Sequence, residues 1–364
     1  MTNRRKFIAQ SLTGLGALAA STSAFSSIII PQKKTRLGVA LVGLGYYSRD
    51  LLAPALQLTK NCYLAGIVTG TPSKAEEWKA KHNLKDANIY SYDNFDSIAN
   101  NDEIDVVYVV LPPSMHAEYS IRASKAGKHV WCEKPMAMNV IECQQMIDAA
   151  KSNKRTLSIG YRLHHEPNTQ QIIKFGKDKT YGKVLKAVAQ AGYVDPRTDH
   201  WKQKKALGGG AMYDMGVYSL NAARYSTGLE PISVTARAST TRPEIYTEVE
   251  ETMEFDLTFP GGVTASCLTS FGKNVNELRV TCEKGWYELV PFQYYSGLKG
   301  RTSDNKLLEA TIPNQQARQM DDDAFSILNK KSLLVPGEEG LRDIRVVEAI
   351  HKSASLNGQE IKIG

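Results

Sequence analysis

The sequence predicts an α/β chain in two parts: a doubly wound parallel sheet, then an α+β domain built on a large, mostly antiparallel, open-faced sheet. Three observations predict it. Up to about residue 160, near-continuous apolar runs alternate with helical stretches, the pattern of parallel strands buried on both faces. Beyond that point apolar and polar residues alternate one by one, as strands with one wet face require. The length, 364 residues, suits two such domains.

Leu37-Gly38-Val39-Ala40-Leu41-Val42 is the first buried strand, and Gly43-Leu44-Gly45-Tyr46-Tyr47-Ser48 turns out of it into a helix over about 48–58. A second strand follows at 63–68, then a helix at 74–82, a strand at 105–111, a helix at 116–126, a strand at 130–132, a helix at 139–152 and a strand at 156–159. The second part reads as strands at 184–193, 232–238, 250–259, 263–270 and 277–282, with Pro260-Gly261-Gly262 as a hairpin turn. A final amphipathic helix covers 337–356, and a short strand 360–363. The domains are thus expected at 36–159 and 160–364.

Residues 1–30 are set apart from the fold. Arg4-Arg5-Lys6 is a basic segment with a twin arginine, a Gly/Ala-rich apolar stretch runs from Leu12 to Ala20, and Ser21-Thr22-Ser23-Ala24 offers small residues for cleavage. This resembles a twin-arginine export signal and implies the export machinery as a partner and a periplasmic location, with an uncleaved membrane-anchored form as the alternative. The formal charge is +7, of which +3 falls in this segment, and the rest is spread along the chain, so nothing calls for a nucleic-acid partner. Five cysteines without CxxC spacing predict neither a zinc site nor a disulfide framework, and no metal is expected.

The glycine turn departs from G-x-G-x-x-G only at Ser48. Gly43 and Gly45 allow a tight turn and close approach of a pyrophosphate to the helix N-terminus, with Tyr46 and Tyr47 in the same turn. A dinucleotide fold that prefers NAD places an acid at the end of its second strand. Here that strand ends Val68-Thr69-Gly70-Thr71-Pro72-Ser73-Lys74, without an acid, so NADP is expected over NAD, with Thr69, Gly70 and Lys74 around a 2′-phosphate. Leu111 and Pro112 end the strand expected to pass the nicotinamide ribose. His116 either touches cofactor phosphates or caps the next helix.

Two blocks carry the chemistry. Glu133-Lys134-Pro135 leaves a buried strand at the carboxyl edge of the sheet, where such sheets bind ligands, so the Lys134 ammonium is delivered to a cleft. In Gly208-Gly209-Gly210-Ala211-Met212-Tyr213-Asp214-Met215-Gly216-Val217-Tyr218, Asp214 and Tyr218 stand four apart, on one face of a helix. The alternative for this block is a helix start with an acid in its first turn and a core tyrosine.

With both blocks present, the chain resembles the Gfo/Idh/MocA oxidoreductase family through Gly43-Leu44-Gly45, Glu133-Lys134-Pro135, Gly160-Tyr161-Arg162 and Gly208 to Tyr218. Trp201-Lys202, Asn221, Arg224-Tyr225 and Val335-Pro336-Gly337-Glu338-Glu339-Gly340 are similar to its glucose–fructose oxidoreductase branch, as is tyrosine at 218, where most members have histidine. The resemblance implies hydride transfer between a sugar and a tightly bound NADP, with ping-pong turnover between two sugars. It implies Tyr218 as the base that takes the hydroxyl proton, and Lys134 as the cation that favours its ionised form and steadies the alkoxide. Asp214 would orient Lys134 or bind a sugar hydroxyl. Glu133, Lys134 and Arg162 join the cofactor residues, Tyr161, Arg162 and Trp201 are sugar contacts or structural, and a homo-oligomer pairs through the second sheet. The open alternatives are a glycoside or sugar dehydrogenase, a glycosidase working by transient oxidation, and a non-catalytic cofactor-binding sensor.

Overall fold

The structure is a computed structural model and describes residues 34–364. The export-signal expectation lies outside them. Among the described residues no helix is long and apolar enough to cross a membrane.

The first sheet holds β1 (Leu37–Val42), β2 (Cys62–Val68), β3 (Ile89–Tyr90), β4 (Val106–Val109), β5 (His129–Cys132) and β6 (Leu157–Ile159), all parallel, in the order β3-β2-β1-β4-β5-β6. Its strands are apolar throughout because both faces are covered. Ala40 and Val42 enter the core on one side, Val39 and Leu41 the core on the other. The chain runs outward in opposite directions from β1 and β4, which leaves a crevice at their carboxyl ends. The turns after β1, β4, β5 and β6 all open on that edge, and so Gly43, Leu111, Lys134 and Gly160 converge from four distant stretches of sequence.

The second sheet holds β7 (Val184–Gly192), β8 (Ser233–Ser239), β9 (Thr252–Thr258), β10 (Thr264–Ser270), β11 (Val275–Cys282), β12 (Gly285–Leu289), β13 (Gly300–Thr302), β14 (Leu307–Leu308) and β15 (Ile361–Lys362). Their order is β14-β13-β12-β11-β7-β10-β9-β8-β15, antiparallel except for β7 beside β10. Inward rows such as Ala187, Ala189 and Ala191 are buried, while Asp256, Ser266, Val188, Arg279 and Glu288 stand abreast on the other face. Pro260-Gly261-Gly262 turns the chain from β9 to β10 as the sequence predicts.

Two helices from late in the chain pack on the first domain. Helix Gly337–Ser355 packs on helix Val140–Ser152 and on β8. Helix Gln315–Leu328, late in the chain, lies against the outer face of the first sheet, where Ala317, Met320 and Ala324 join Val39, Leu41 and Leu52 in one apolar cluster. All five cysteines are buried and free.

Candidate active site

Gly43 leaves β1 with φ +89°, and a Cβ there would sit 2.4 Å from the Val110 carbonyl. Only glycine tolerates both. Ser48, fully buried, donates its hydroxyl back to the Gly43 carbonyl at 2.5 Å, so the serine that breaks the fingerprint ties the turn shut. A Cβ on Gly45 would meet no protein atom within 4 Å: the turn is open above Gly45, as a cradle for a pyrophosphate must be. The residues present fit a dinucleotide. Tyr46 is exposed beside this opening and Tyr47 half-buried under it. Beyond β2, Thr69 is buried, and its hydroxyl accepts from the Thr71 N–H at 3.2 Å, which shapes the turn at Gly70. Lys74 is exposed in the first turn of helix Pro72–His82, which carries no acid in that turn and no side-chain cap.

Lys134 and Asp214 meet as the sequence predicts, with a difference of detail. Lys134 Nζ donates to the Asp214 carbonyl oxygen at 2.6 Å, lies 3.7 Å from the Asp214 carboxylate, and sits 4.5 Å from the centre of the Tyr218 ring. Residues Met212–Gly216 form a π-helical turn before the α-helix Val217–Thr227, so the regular four-residue face of the prediction is broken between Asp214 and Tyr218. Lys134 bridges the two instead. Burial works against its charge, but Tyr218, Asp214 and Glu133 together outweigh it and hold its pKa above the usual lysine range. Tyr218 is 7 % exposed, and its hydroxyl makes no hydrogen bond to another described residue.

A second lysine was not anticipated. Lys202 Nζ donates to Asp214 Oδ2 at 2.6 Å, an oxygen that also accepts from the Tyr193 hydroxyl at 3.3 Å, and lies 3.1 Å from that hydroxyl. Burial alone would raise the Asp214 pKa, but Lys202 first and Lys134 second pull it down to about 2. Lys202 arrives on a short turn, Trp201–Gln203, capped by His200. The three glycines let this turn close: a Cβ on Gly209 would lie 2.4 Å from the Lys202 carbonyl. Trp201 lies half-buried beside Lys202, in reach of the cleft. A polar residue next to the singled-out Trp201 and just before the glycine run was the available signal. Tyr295, 4.6 Å above the Arg162 guanidinium, came from a loop with no pattern to mark it.

Four of the expected residues are held by protein partners at or behind the crevice. Glu133 is only 8 % exposed, and its carboxyl accepts from the Tyr108 hydroxyl at 2.7 Å, inside the sheet rather than at its open edge. Burial first, against the pull of Tyr108 and Lys134, pushes its pKa up to about 7. His116 has both ring nitrogens 2.8 Å from backbone carbonyls, those of Pro135 and Leu111. It straps the turn after β4 to the turn after β5 and has nothing left for a phosphate. Arg162 is 1 % exposed and donates to the Gln293 and Tyr294 carbonyls and to Gln315, so it anchors the 290–299 loop. Tyr161 is equally buried, packed on His164 near Asp343, which favours the structural of its two readings. The reason is common to all four: each follows a strand end at the crevice, but its side chain turns back into the protein.

The profile described as "Oxidoreductase family, NAD-binding Rossmann fold" matches residues 37–161, and that of the GFO/IDH/MocA C-terminal domain residues 169–288. The crystal structure of aldose-aldose oxidoreductase from Caulobacter crescentus is 38% identical, with a TM-score of 0.86 over 90% of this chain and 99% of that one. The chain belongs to the Gfo/Idh/MocA oxidoreductase family. Among curated members, D-xylose 1-dehydrogenase [NADP(+)] of Haloarcula marismortui is 26% identical over 86% of this chain and 90% of its own length. D-glucoside 3-dehydrogenase of Escherichia coli is 25% identical over 87% and 95%. This Gfo/Idh/MocA member is an enzyme, its first sheet the NAD-binding domain of the family and its second sheet the family's mostly antiparallel C-terminal domain.

Proposed function

We propose that the protein is an NADP-dependent sugar oxidoreductase in which one sugar hydroxyl is oxidised and a second sugar carbonyl is reduced on the same tightly held cofactor. The observation that carries this reading is Lys134 Nζ standing against both the Tyr218 ring and Asp214 at the cofactor edge of the first sheet. When bound, the nicotinamide supplies the hydride acceptor and donor. The protein's part is the proton. Tyr218 Oη takes it from the substrate hydroxyl as the C–H bond gives up its hydride, and returns it to a carbonyl oxygen in the reverse half. The Lys134 ammonium, fixed by the Asp214 carbonyl, faces the oxygen on which negative charge builds. Tyr46, Tyr47, Leu111 and Pro112 line the cofactor's path, and Trp201 the sugar's.

The NADP preference rests on the uncapped, acid-free first turn at Pro72–His82 with Lys74 in it, and agrees with the xylose dehydrogenase relative, whose name specifies NADP(+). The two-sugar cycle draws on the name of the Caulobacter relative. Export through the twin-arginine route, from Arg4-Arg5, would take the folded protein with its cofactor to a place without a free NADP pool, which is why the cofactor is expected to stay bound. We assign pairing with a second copy to the exposed face of the nine-stranded sheet. The test is mass spectrometry of the nucleotide released from purified protein, then single-turnover reduction by a panel of aldoses. NADP(H) and reduction by at least one aldose are expected. Released NAD, or no reduction by any sugar, refutes the reading. The glucoside dehydrogenase relative favours a second reading, oxidation of a glycoside ring hydroxyl, which glycosides in the same panel detect.

A further inference from the structure

The Asp214 carboxylate is shared unequally. Its Oδ2 accepts from Lys202 at 2.6 Å, while its Oδ1 is 3.7 Å from Lys134. Lys202 is itself held from several sides. Its Nζ also reaches the Tyr193 hydroxyl at 3.1 Å and lies over the Tyr193, Trp201 and Phe271 rings. Arg197, which donates to the same Tyr193 hydroxyl at 3.1 Å, is tied down by Asp195 at 2.6 Å. The turn carrying Lys202 is pinned where Gly210 N–H donates to the Lys202 carbonyl at 2.8 Å, so its approach to Asp214 is built rather than incidental.

From this arrangement we infer that Lys202 is a positioning residue, which draws the Asp214 carboxylate to itself and so keeps the Lys134 ammonium free to act on the substrate oxygen. Were Lys202 absent, Asp214 Oδ2 would keep only the neutral Tyr193 hydroxyl at 3.3 Å and the buried carboxylate only one cation, which draws it toward Lys134. Lys134 would then be a closed ion pair, its charge spent before a substrate arrives. Two lysines around one carboxylate leave a net positive charge in the cleft, and the placement decides which lysine carries it. Burial, with Lys134 and Arg197 nearby, lowers the Lys202 pKa despite Asp214, whereas that of Lys134 is raised.

The inference rests on the proposed sugar oxidoreductase activity. The experiment compares wild type, Lys202→Met, Lys202→Arg, Asp214→Asn and the Lys202→Met/Asp214→Asn double variant, each loaded with NADP, for kcat and KM across pH. Lys202→Met is expected to lower kcat at neutral pH on the order of 10- to 100-fold, with KM little changed and the pH–kcat profile displaced. Lys202→Arg should keep the wild-type profile, and the double variant should be no worse than Asp214→Asn, because Lys202 acts through that carboxylate. An unchanged kcat and profile in Lys202→Met, a rise in KM alone, or additive losses in the double variant would each overturn the inference. If Lys202→Met fails to fold, Lys202→Gln, which keeps a donor without the charge, gives the same readout. Wild type inactive toward every sugar would sink the functional reading first, a result distinct from an active wild type with an indifferent Lys202.

Discussion

Substituting Glu133 by Gln should make the protein more stable at high pH and nearly unaffected at low pH. The carboxyl is buried against Tyr108, beside Gly160, where an added Cβ would lie 2.7 Å from its Oε1. Its pKa stands at about 7 instead of the ordinary 4.5, through burial above all. A folded-state pKa above the unfolded one means that the folded state holds the proton more tightly. Below about pH 4.5 both states carry it and nothing is lost. As pH rises toward 7 the unfolded chain ionises first, stability falls, and above 7 the loss is complete. The gap from 4.5 to about 7, at about 1.4 kcal/mol per pH unit, amounts to about 3 kcal/mol. Glutamine keeps an oxygen for the Tyr108 hydroxyl and cannot ionise. Asp323 and Asp343, both raised to about 6 by burial first, bend the profile the same way but do so equally in both proteins. The assay is urea unfolding of wild type and Glu133→Gln at pH 4.5 and pH 8, in the same cofactor state. The stability difference between the two proteins should widen by about 3 kcal/mol from the lower to the higher pH. Parallel pH profiles would show that Glu133 carries no such penalty and would refute the burial argument.

Other outcomes follow from the same geometry. Lys134→Met and Tyr218→Phe should each lower turnover by about 100-fold or more with the cofactor still bound, and near-normal turnover in either removes them from the chemistry. Gly209→Ala forces a Cβ to within 2.4 Å of the Lys202 carbonyl, so thermal unfolding should register a loss of about 1–3 kcal/mol. Lys74→Glu should weaken NADP binding by about tenfold and leave NAD binding nearly unchanged in fluorescence titrations, whereas equal losses would place the 2′-phosphate elsewhere. Tyr161→Phe should leave KM for the sugar unchanged, since the ring is buried away from the cleft.

The first sheet was legible because parallel strands buried on both faces write themselves as unbroken apolar runs, and its helices as the stretches between. β3, a pair of residues, is too short to show a period, and β12 to β14 are broken by turns and by polar residues such as Arg301 and Lys306. The helices 167–178 and 315–328 went unread: their polar residues, such as Asn168 and Gln319, are buried by tertiary partners that a sequence pattern does not display. At the site, Lys134, Asp214 and Tyr218 could be found from the turns that present them. Whether a side chain faces the crevice or turns inward is decided by packing, so the sequence leaves two readings for His116, Arg162 and Tyr161 and puts Glu133 at the crevice, whereas all four are buried. Lys202 depended on how the glycine run folds over it.

Helix Gln315–Leu328 has a consequence for the order of events during synthesis. The face of the first sheet built from Val39, Leu41 and Tyr108 is completed by residues between two and three hundred positions further along the chain. A ribosome that has released only the first sheet and its own helices therefore presents a face on which Leu52, Leu56 and Trp78 are in place while Ala317, Met320 and Ala324 are still missing. That face is complete only when almost the whole polypeptide has emerged.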